Sequence, residues 1–367
     1  MPIATPLSSA SAEAARPTSS LEAAQHRSHQ LEAAIAEHPD RFRVLTGDRP
    51  TGPLHVGHLF GTLVNRVRLQ DLGADVLVLI ADYQTLTDRD APASLPADVL
   101  GLVADYLAVG IDPERSTVFA HSQIPALNQL MVPFLSLVSV AEVSRNPTVK
   151  DEFATTGSAS MSALMYAYPV HQAADILFCR ATVVPVGKDQ LPHLELTRTI
   201  ARRFNDRYSP LHPYFPEPDA LLSETPLLLG TDGEKMGKSR NNAIALAADE
   251  DHTARLVRGA RTDSERNVTY EPDRRPEVAN LVRLAALCLD RQPQQVVDEC
   301  GAGGARALKE TLTEALNERL RPLRARRRQL MGDPAYLRSV LASGNERAQS
   351  IAEDTMATVG ELLHTNP

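Results

Sequence analysis

From Arg41 to Asn205 the chain keeps alternating between short apolar runs and segments with helical spacing, and past about Ala247 the apolar runs stop. RFRVLTG, ADVLVLIAD, STVFAHS and ATVVPVG read as strands, and ADVLVLIAD is apolar almost throughout, as in a strand covered on both faces. HLFGTLVNRVRLQ, with Leu59, Leu63 and Val67 on one face, then SLPADVLGLVADYLAVG, the region from Pro125 and DQLPHLELTRTIARRFN read as helices. Parallel strands need crossovers of this kind, so the pattern predicts an α/β fold built on a doubly wound parallel sheet. ALKETLTEALNERLRPLRARRRQL and ERAQSIAEDTMATVGELL predict a mainly α-helical C-terminal domain.

With 367 residues the chain exceeds the roughly 250–300 at which a single core stops growing. We therefore expect an N-terminal extension over 1–40, a sheet domain over 41–246 and a helical domain over 247–367. The Ala/Ser/Pro-rich residues 1–19 read as disordered, and Ser20 as the N-cap of a helix running to the end of the extension.

Composition removes several classes of function. Apolar runs such as Val76–Ala81 fall far short of the roughly 18–20 residues that span a bilayer, and the N-terminus has no secretory core. Cys179, Cys288 and Cys300 are odd in number and form no C-x-x-C pair, which suits a reducing, cytoplasmic setting. A net charge of −8 argues against a general nucleic-acid coat but permits a local basic site. Arg319–Arg328 carries six arginines, which fits a solvated helix face or an RNA-contacting one.

The first strand–helix junction reads TGDRPTGPLHVGH. In a parallel sheet, ligands bind where helix N-termini meet strand carboxyl ends. No G-x-G-x-x-G is present, so the usual dinucleotide reading fails. Gly57 removes a side chain where a base or ribose could approach the backbone, and His55 and His58, three apart, can donate to phosphate oxygens. A zinc pair would need further ligands, and no second cluster has obvious metal spacing. A capping turn with incidental histidines is the blander alternative.

Downstream stands TDGEKMGKSRNNAI, a glycine-flanked loop over 231–242. It is not a P-loop, because Gly233 and Gly237 enclose three residues rather than four. It presents Lys235 and Lys238, two ammonium groups suited to a leaving pyrophosphate.

HVGH and KMGKS together resemble the H-x-G-H and K-M-S-K-S signatures of class I aminoacyl-tRNA synthetases. DYLAVGIDPERSTVFAHSQIP, RNPTVKDE, YPVHQAADIL and VPVGKDQLPHLELTRTIARRFN are similar to the tryptophanyl branch, from about Arg43 to Leu246. The resemblance implies a Rossmann-like catalytic domain, ATP as substrate with Mg2+ held mainly through its phosphates and no protein metal site, tRNA(Trp) and L-tryptophan as partners, an anticodon-reading C-terminal domain, and a homodimer. It also implies His55, His58, Lys235, Lys238 and Lys150 as catalytic residues. Arg49, Thr51, Gly57, Gly187, Asp189 and Ser239 would join them around ATP.

YPVHQAAD places Tyr168, Gln172 and Asp175 on one stripe of a helix, with Pro169 suited to its first turn. The resemblance implies that Asp175 accepts the indole N–H, that Tyr168 and Gln190 hold the substrate amine, and that Leu45 and Gly47 wall the pocket. Tyrosyl-tRNA synthetases share the stripe, with the aspartate meeting a phenol. They usually carry a second tyrosine where this chain has Leu45, and a site lacking that hydroxyl partner favours indole. A non-catalytic relative that kept the fold is the other alternative, against which the intact signatures count. Gly237 stands for the serine of the lysine loop, Lys188 for a common glutamate, and His58 and Gln172 where many relatives have Asn and Met.

Overall fold

A computed structural model describes residues 20–87, 93–146, 149, 161–223, 227–237 and 240–365. The disorder expected over 1–19, and the side chains of Lys150, Lys238 and Ser239, lie outside the described residues.

Five strands, β1 (Arg43–Asp48), β2 (Asp75–Ile80), β3 (Ser116–Ala120), β4 (Val183–Val186) and β5 (Asp219–Leu222), form one parallel sheet in the order β3-β2-β1-β4-β5. The order reverses at β1, so a crevice opens beyond the carboxyl ends of β1 and β4. Alternation within the strands divides the core. Val76, Val78, Ile80 and Val118 face one layer with Leu102 and Leu107, while Leu77, Leu79 and Phe119 face the other with Val170, Ala174 and Phe204.

The longer helices are α1 (Ser20–Glu37), α2 (Val64–Leu72), α3 (Leu95–Val109), α4 (Ala163–Leu177), α5 (Leu191–Tyr208), α6 (Glu250–Gly259), α7 (Pro276–Leu289), α8 (Pro293–Cys300), α9 (Gly304–Met331) and α10 (Pro334–Leu362). Among the described residues no strand follows β5, in line with the helical character expected after Ala247. Leu308, Leu312, Leu316 and Leu320 of α9 share a core with Leu102 and Leu107 of α3. Among the described residues no helix is long and apolar enough to cross a membrane.

Both sheet edges are covered, which hides backbone groups that would otherwise pair with another chain. On β3 the Ala120 amide donates to Asn345 Oδ1 of α10 at 3.0 Å. A Cβ on Gly344 would lie 1.9 Å from the Val118 carbonyl, so only glycine allows this approach. On β5 the Leu222 amide donates to Ser28 Oγ of α1 at 2.9 Å.

The strand β5 has no clear signature in the sequence, since DALL spans only four residues between proline-rich turns. Three local expectations are corrected. The region from Pro125 is not one helix but Pro125–Gln129, Met131–Leu135 and Val140–Ser144. Pro133 has no N–H to continue the ladder to Gln129. Ser20, the first described residue, is already helical within α1 rather than its cap. Pro169 lies inside α4, which starts at Ala163, and leaves the Met165 carbonyl without its helical donor.

Candidate active site

The loop leaving β1 returns at His55, where the chain turns into a helix through Val56–His58 and a wider π-helical turn, Leu59–Leu63, before α2. Such π turns recur at functional sites. The His55 amide donates to His58 Nδ1 at 3.2 Å, and the two rings lie 3.8 Å apart. A neutral His58 therefore carries its proton on Nε2, which becomes its donor. A Cβ on Gly57 would sit 3.0 Å from the His55 ring and 3.3 Å from Met236 Sδ, so this glycine lets the lysine loop come close.

Backbone hydrogen bonds join the two signature segments. The Val56 amide donates to the Ile244 carbonyl at 3.0 Å and the Leu246 amide to the Leu54 carbonyl at 2.9 Å. Within the loop, buried Asn242 donates to Asp232 Oδ1 at 2.9 Å and the Lys235 carbonyl at 3.1 Å, and accepts from the Gly237 amide at 2.9 Å. Lys235 Nζ lies 3.7 Å from Asp189 Oδ2, with both side chains exposed. At Gly237 the nearest atom to an added Cβ is Arg240 Cδ at 3.7 Å, so no steric demand in the described residues calls for glycine there.

Beneath this end lies a buried ion pair absent from the sequence reading. Arg66 Nη1 donates to Asp48 Oδ2 at 2.6 Å, and the Tyr106 hydroxyl donates to the same oxygen at 2.8 Å. Burial alone would raise the Asp48 carboxyl, but the Arg66 guanidinium, reinforced by His58 and Tyr106, holds it well below the usual carboxylate range.

The opposite end is apolar and floored by one carboxylate. Asp175, 1% exposed, lies with Oδ1 2.8 Å from His121 Nε2 and Oδ2 3.4 Å from Gln84 Nε2. His171 stacks 4.7 Å from the His121 ring and shares a 2.7 Å hydrogen bond with Asn128 Oδ1. Burial pushes His171 down, an effect that His121 reinforces and Asp175 opposes. His121, His171 and Asp175 bring candidate metal-ligand atoms within 4.8 Å of one another, a set that excludes His55 and His58. Beside it the Tyr168 hydroxyl lies 3.2 Å from His193 Nε2, and Asn146 Nδ2 lies 3.4 Å from His193 Nδ1. Burial pushes His193 down to about 4, so the ring is neutral near pH 7. With the Asn146 amide donating to Nδ1, the ring proton sits on Nε2 and is given to the Tyr168 oxygen.

One cleft of about 610 Å³ joins these ends, in the usual range for a small-molecule site. Its walls include Leu45, Gly47, Arg49, Thr51, His55, His58, Tyr168, Gln172, Asp175, Gly187 and Gln190, all singled out from sequence. Met236 and Gly237 bring the lysine loop to the same wall. Gly57, Asp189 and Lys235 are not among the lining residues; Gly57 packs behind His55, while Asp189 and Lys235 stand paired and exposed.

A family model described as tRNA synthetases class I (W and Y) matches residues 37–321. The chain is a class I aminoacyl-tRNA synthetase. Its relatives include a tryptophan–tRNA ligase from Treponema pallidum, 42% identical over 88% of this chain and 96% of that protein, and one from Clostridium longisporum, 39% identical over 87% and 96%. A tryptophanyl-tRNA synthetase from Campylobacter jejuni, solved with ADP and tryptophan, superposes with a TM-score of 0.76 at 30% identity, covering 88% of this chain and 99% of that one.

Sequence reasoning on the synthetase missed Asp48, Arg66, Gln84, His121 and His193. Gln84 and His121 did leave a trace: each is a polar residue shortly beyond an apolar strand run, where a parallel sheet gathers its ligand contacts. Asp48, Arg66 and Tyr106 lie on three separate elements and are paired only by the fold.

Proposed function

We propose that this synthetase activates L-tryptophan with ATP and transfers it to the 3′ end of tRNA(Trp). The observation that carries the reading is a single cleft with phosphate-suited donors at one end and, at the other, Leu45, Leu79, Ile176 and Val184 around the carboxylate of Asp175. Indole fits that end because its bulk is apolar and its one N–H needs an acceptor. Leu45 offers no partner for a phenol, which argues against tyrosine.

In the first step a carboxylate oxygen of tryptophan attacks the α-phosphorus of ATP, and the bond to the β-phosphate oxygen breaks to release pyrophosphate. In the second, the ribose hydroxyl of the terminal adenosine takes the aminoacyl group and AMP leaves. The attacking carboxylate is already ionised, so the first step runs on positioning and charge stabilisation. His58 Nε2–H and His55 serve the phosphates at the helix N-terminus, with Gly57 and Thr51 beside them and Arg49 at the nucleotide. Lys235 and Lys238 close over the departing pyrophosphate, Lys150 reaches ATP, and Gly187, Asp189 and Ser239 complete the nucleotide surroundings. Mg2+, held mainly through the ATP phosphates, would supply further charge neutralisation there. Tyr168, Gln172 and Gln190 orient the amino acid; the Tyr168 oxygen keeps a second lone pair for the ammonium group.

We assign the helical residues from 247 onward to anticodon recognition, the chain to a homodimer and the cytoplasm as its compartment. Among the six arginines of Arg319–Arg328, Arg321 pairs with Glu250 and Glu318, Arg324 is buried against Thr253 and Asn317, and Arg327 pairs with Asp105. Arg319, Arg326 and Arg328 are exposed; Arg319 and Arg326, seven residues apart on α9, share one helix face and form the RNA-facing pair.

The purified chain should catalyse ATP–pyrophosphate exchange that depends on tryptophan, with tyrosine at least about 100-fold poorer in kcat/KM. Exchange equal with both amino acids, or with neither, would reject the assignment.

A further inference from the structure

Resting on that reading of the ATP end, we infer that Asp105 is a positioning residue through which the C-terminal helix α9 holds the phosphate-binding turn in place. Asp105 lies on α3 and is 1% exposed. Its Oδ1 receives Arg327 Nε of α9 at 2.5 Å, and its Oδ2 receives the backbone amide of Leu54 at 3.4 Å. Leu54 is the residue directly before His55, and its carbonyl accepts the Leu246 amide from the segment that follows the lysine loop. One carboxylate therefore joins an arginine 222 residues away in sequence to the point where both signature segments meet.

The neighbouring residue strengthens the case. Tyr106, next on α3, donates to Asp48, whose partner Arg66 lines the cleft. Two successive side chains of α3 thus support the nucleotide end from below, one through the turn backbone and one through the ion pair. A buried carboxylate is tolerated only with donors around it, and here its cation comes from the arginine-rich helix. Without that cation the carboxylate loses the charge that fixes it, and the Leu54 amide loses an acceptor held in position. The next residue along is His55, so the displacement falls on the phosphate donors. Tyr168 and Asp175 are carried by α4, on the other face of the sheet, and are not served by this link.

The test uses the full-length Asp105→Asn, Arg327→Ala and Arg327→Lys variants, with exchange kinetics varied separately in ATP and tryptophan and thermal midpoints taken alongside. Asp105→Asn and Arg327→Ala should raise KM for ATP about tenfold, as expected for one lost charge-assisted hydrogen bond, while KM for tryptophan stays within about twofold. Arg327→Lys, which keeps the charge, should recover part of the loss. The Asp105→Asn/Arg327→Ala pair should be no worse than the more severe single change, because both act through one contact. Folded variants with unchanged KM for ATP, or with ATP and tryptophan weakened equally in step with a lower thermal midpoint, would overturn the inference. Calorimetric titration with ATP alone separates this from the functional reading: a tenfold weaker ATP affinity in Asp105→Asn supports the link even if tryptophan proves the wrong amino acid, and an unchanged affinity rejects it. Should Arg327→Ala fail to fold, Arg327→Lys and Asp105→Asn decide on the same readouts.

Discussion

The two ends of the cleft are built on opposite principles. The amino-acid end is sealed: Asp175, His121 and His171 are buried together and tied to Gln84 and Asn128, and His193 is buried against Tyr168. The nucleotide end is open at its rim, where Lys235 and Asp189 are exposed, and closed underneath, where Asp48 pairs with buried Arg66. Selection among similar aromatic side chains needs fixed, dehydrated partners, because an unpaired polar group in such a place is costly. The proposed release of pyrophosphate calls for a cation that can move with the departing group, which an exposed ammonium on a loop can do.

The sharpest way to break this contrast is Asp175→Asn. It leaves His121 beside a neutral group and puts a weaker amide oxygen where the carboxylate is proposed to accept the indole N–H, so kcat/KM for tryptophan should fall by two to three orders of magnitude, roughly the 3–5 kcal/mol cost of breaking a buried pair. KM for ATP should move less than about threefold; equal losses at both ends in exchange assays would erase the distinction.

Acid should find the sealed end first. His193 is neutral in the folded chain, with its value lowered to about 4, and an unfolded histidine titrates near 6.5. The unfolded state therefore binds more protons across that window, and stability present above about pH 6.5 is lost as pH falls toward 4. From pH 7 to pH 5 the loss is about 2 kcal/mol, with His171 shifted in the same direction. Asp48, held below its unfolded value, stays ionised throughout that interval, so the locked base of the nucleotide end contributes nothing to the slope. Urea midpoints at the two pH values check this, and His193→Gln should flatten the dependence.

At the open rim the effects should be kinetic. Lys235→Ala should slow adenylate formation about tenfold to 100-fold while leaving tryptophan affinity and thermal stability nearly unchanged, since exposed pairs stabilise by less than about 1 kcal/mol. Rapid-quench measurement with an equilibrium tryptophan titration would show the split. The smallest change is expected for Gly237→Ser, which meets no close contact among the described residues and should alter exchange less than about threefold.

The same contrast explains what could be read from the amino-acid order. HVGH, the lysine loop and the Tyr168–Asp175 stripe are local patterns, each within one turn or one helix, and the fold brings all three to one cleft. The alternation of strand and helix was equally local, and β1 to β4 fall where the apolar runs stand. His121 meets Asp175 from 54 positions away, and Arg66, Asp48 and Tyr106 meet across three elements, so no window of sequence contains the pairing. Pro169 misled for the opposite reason. A proline most often opens a helix, but here the preceding Ala163–Tyr168 turns already form one.

Ser28 and Asn345 finish the two outer strands from helices that lie near opposite ends of the chain. The nucleotide-binding sheet is thus closed by material from outside its own span, and a fragment trimmed to 41–333 would offer two bare ribbons to its neighbours. Such a fragment should self-associate or precipitate even with every cleft residue present, because the bolts that keep the sheet solitary were left behind.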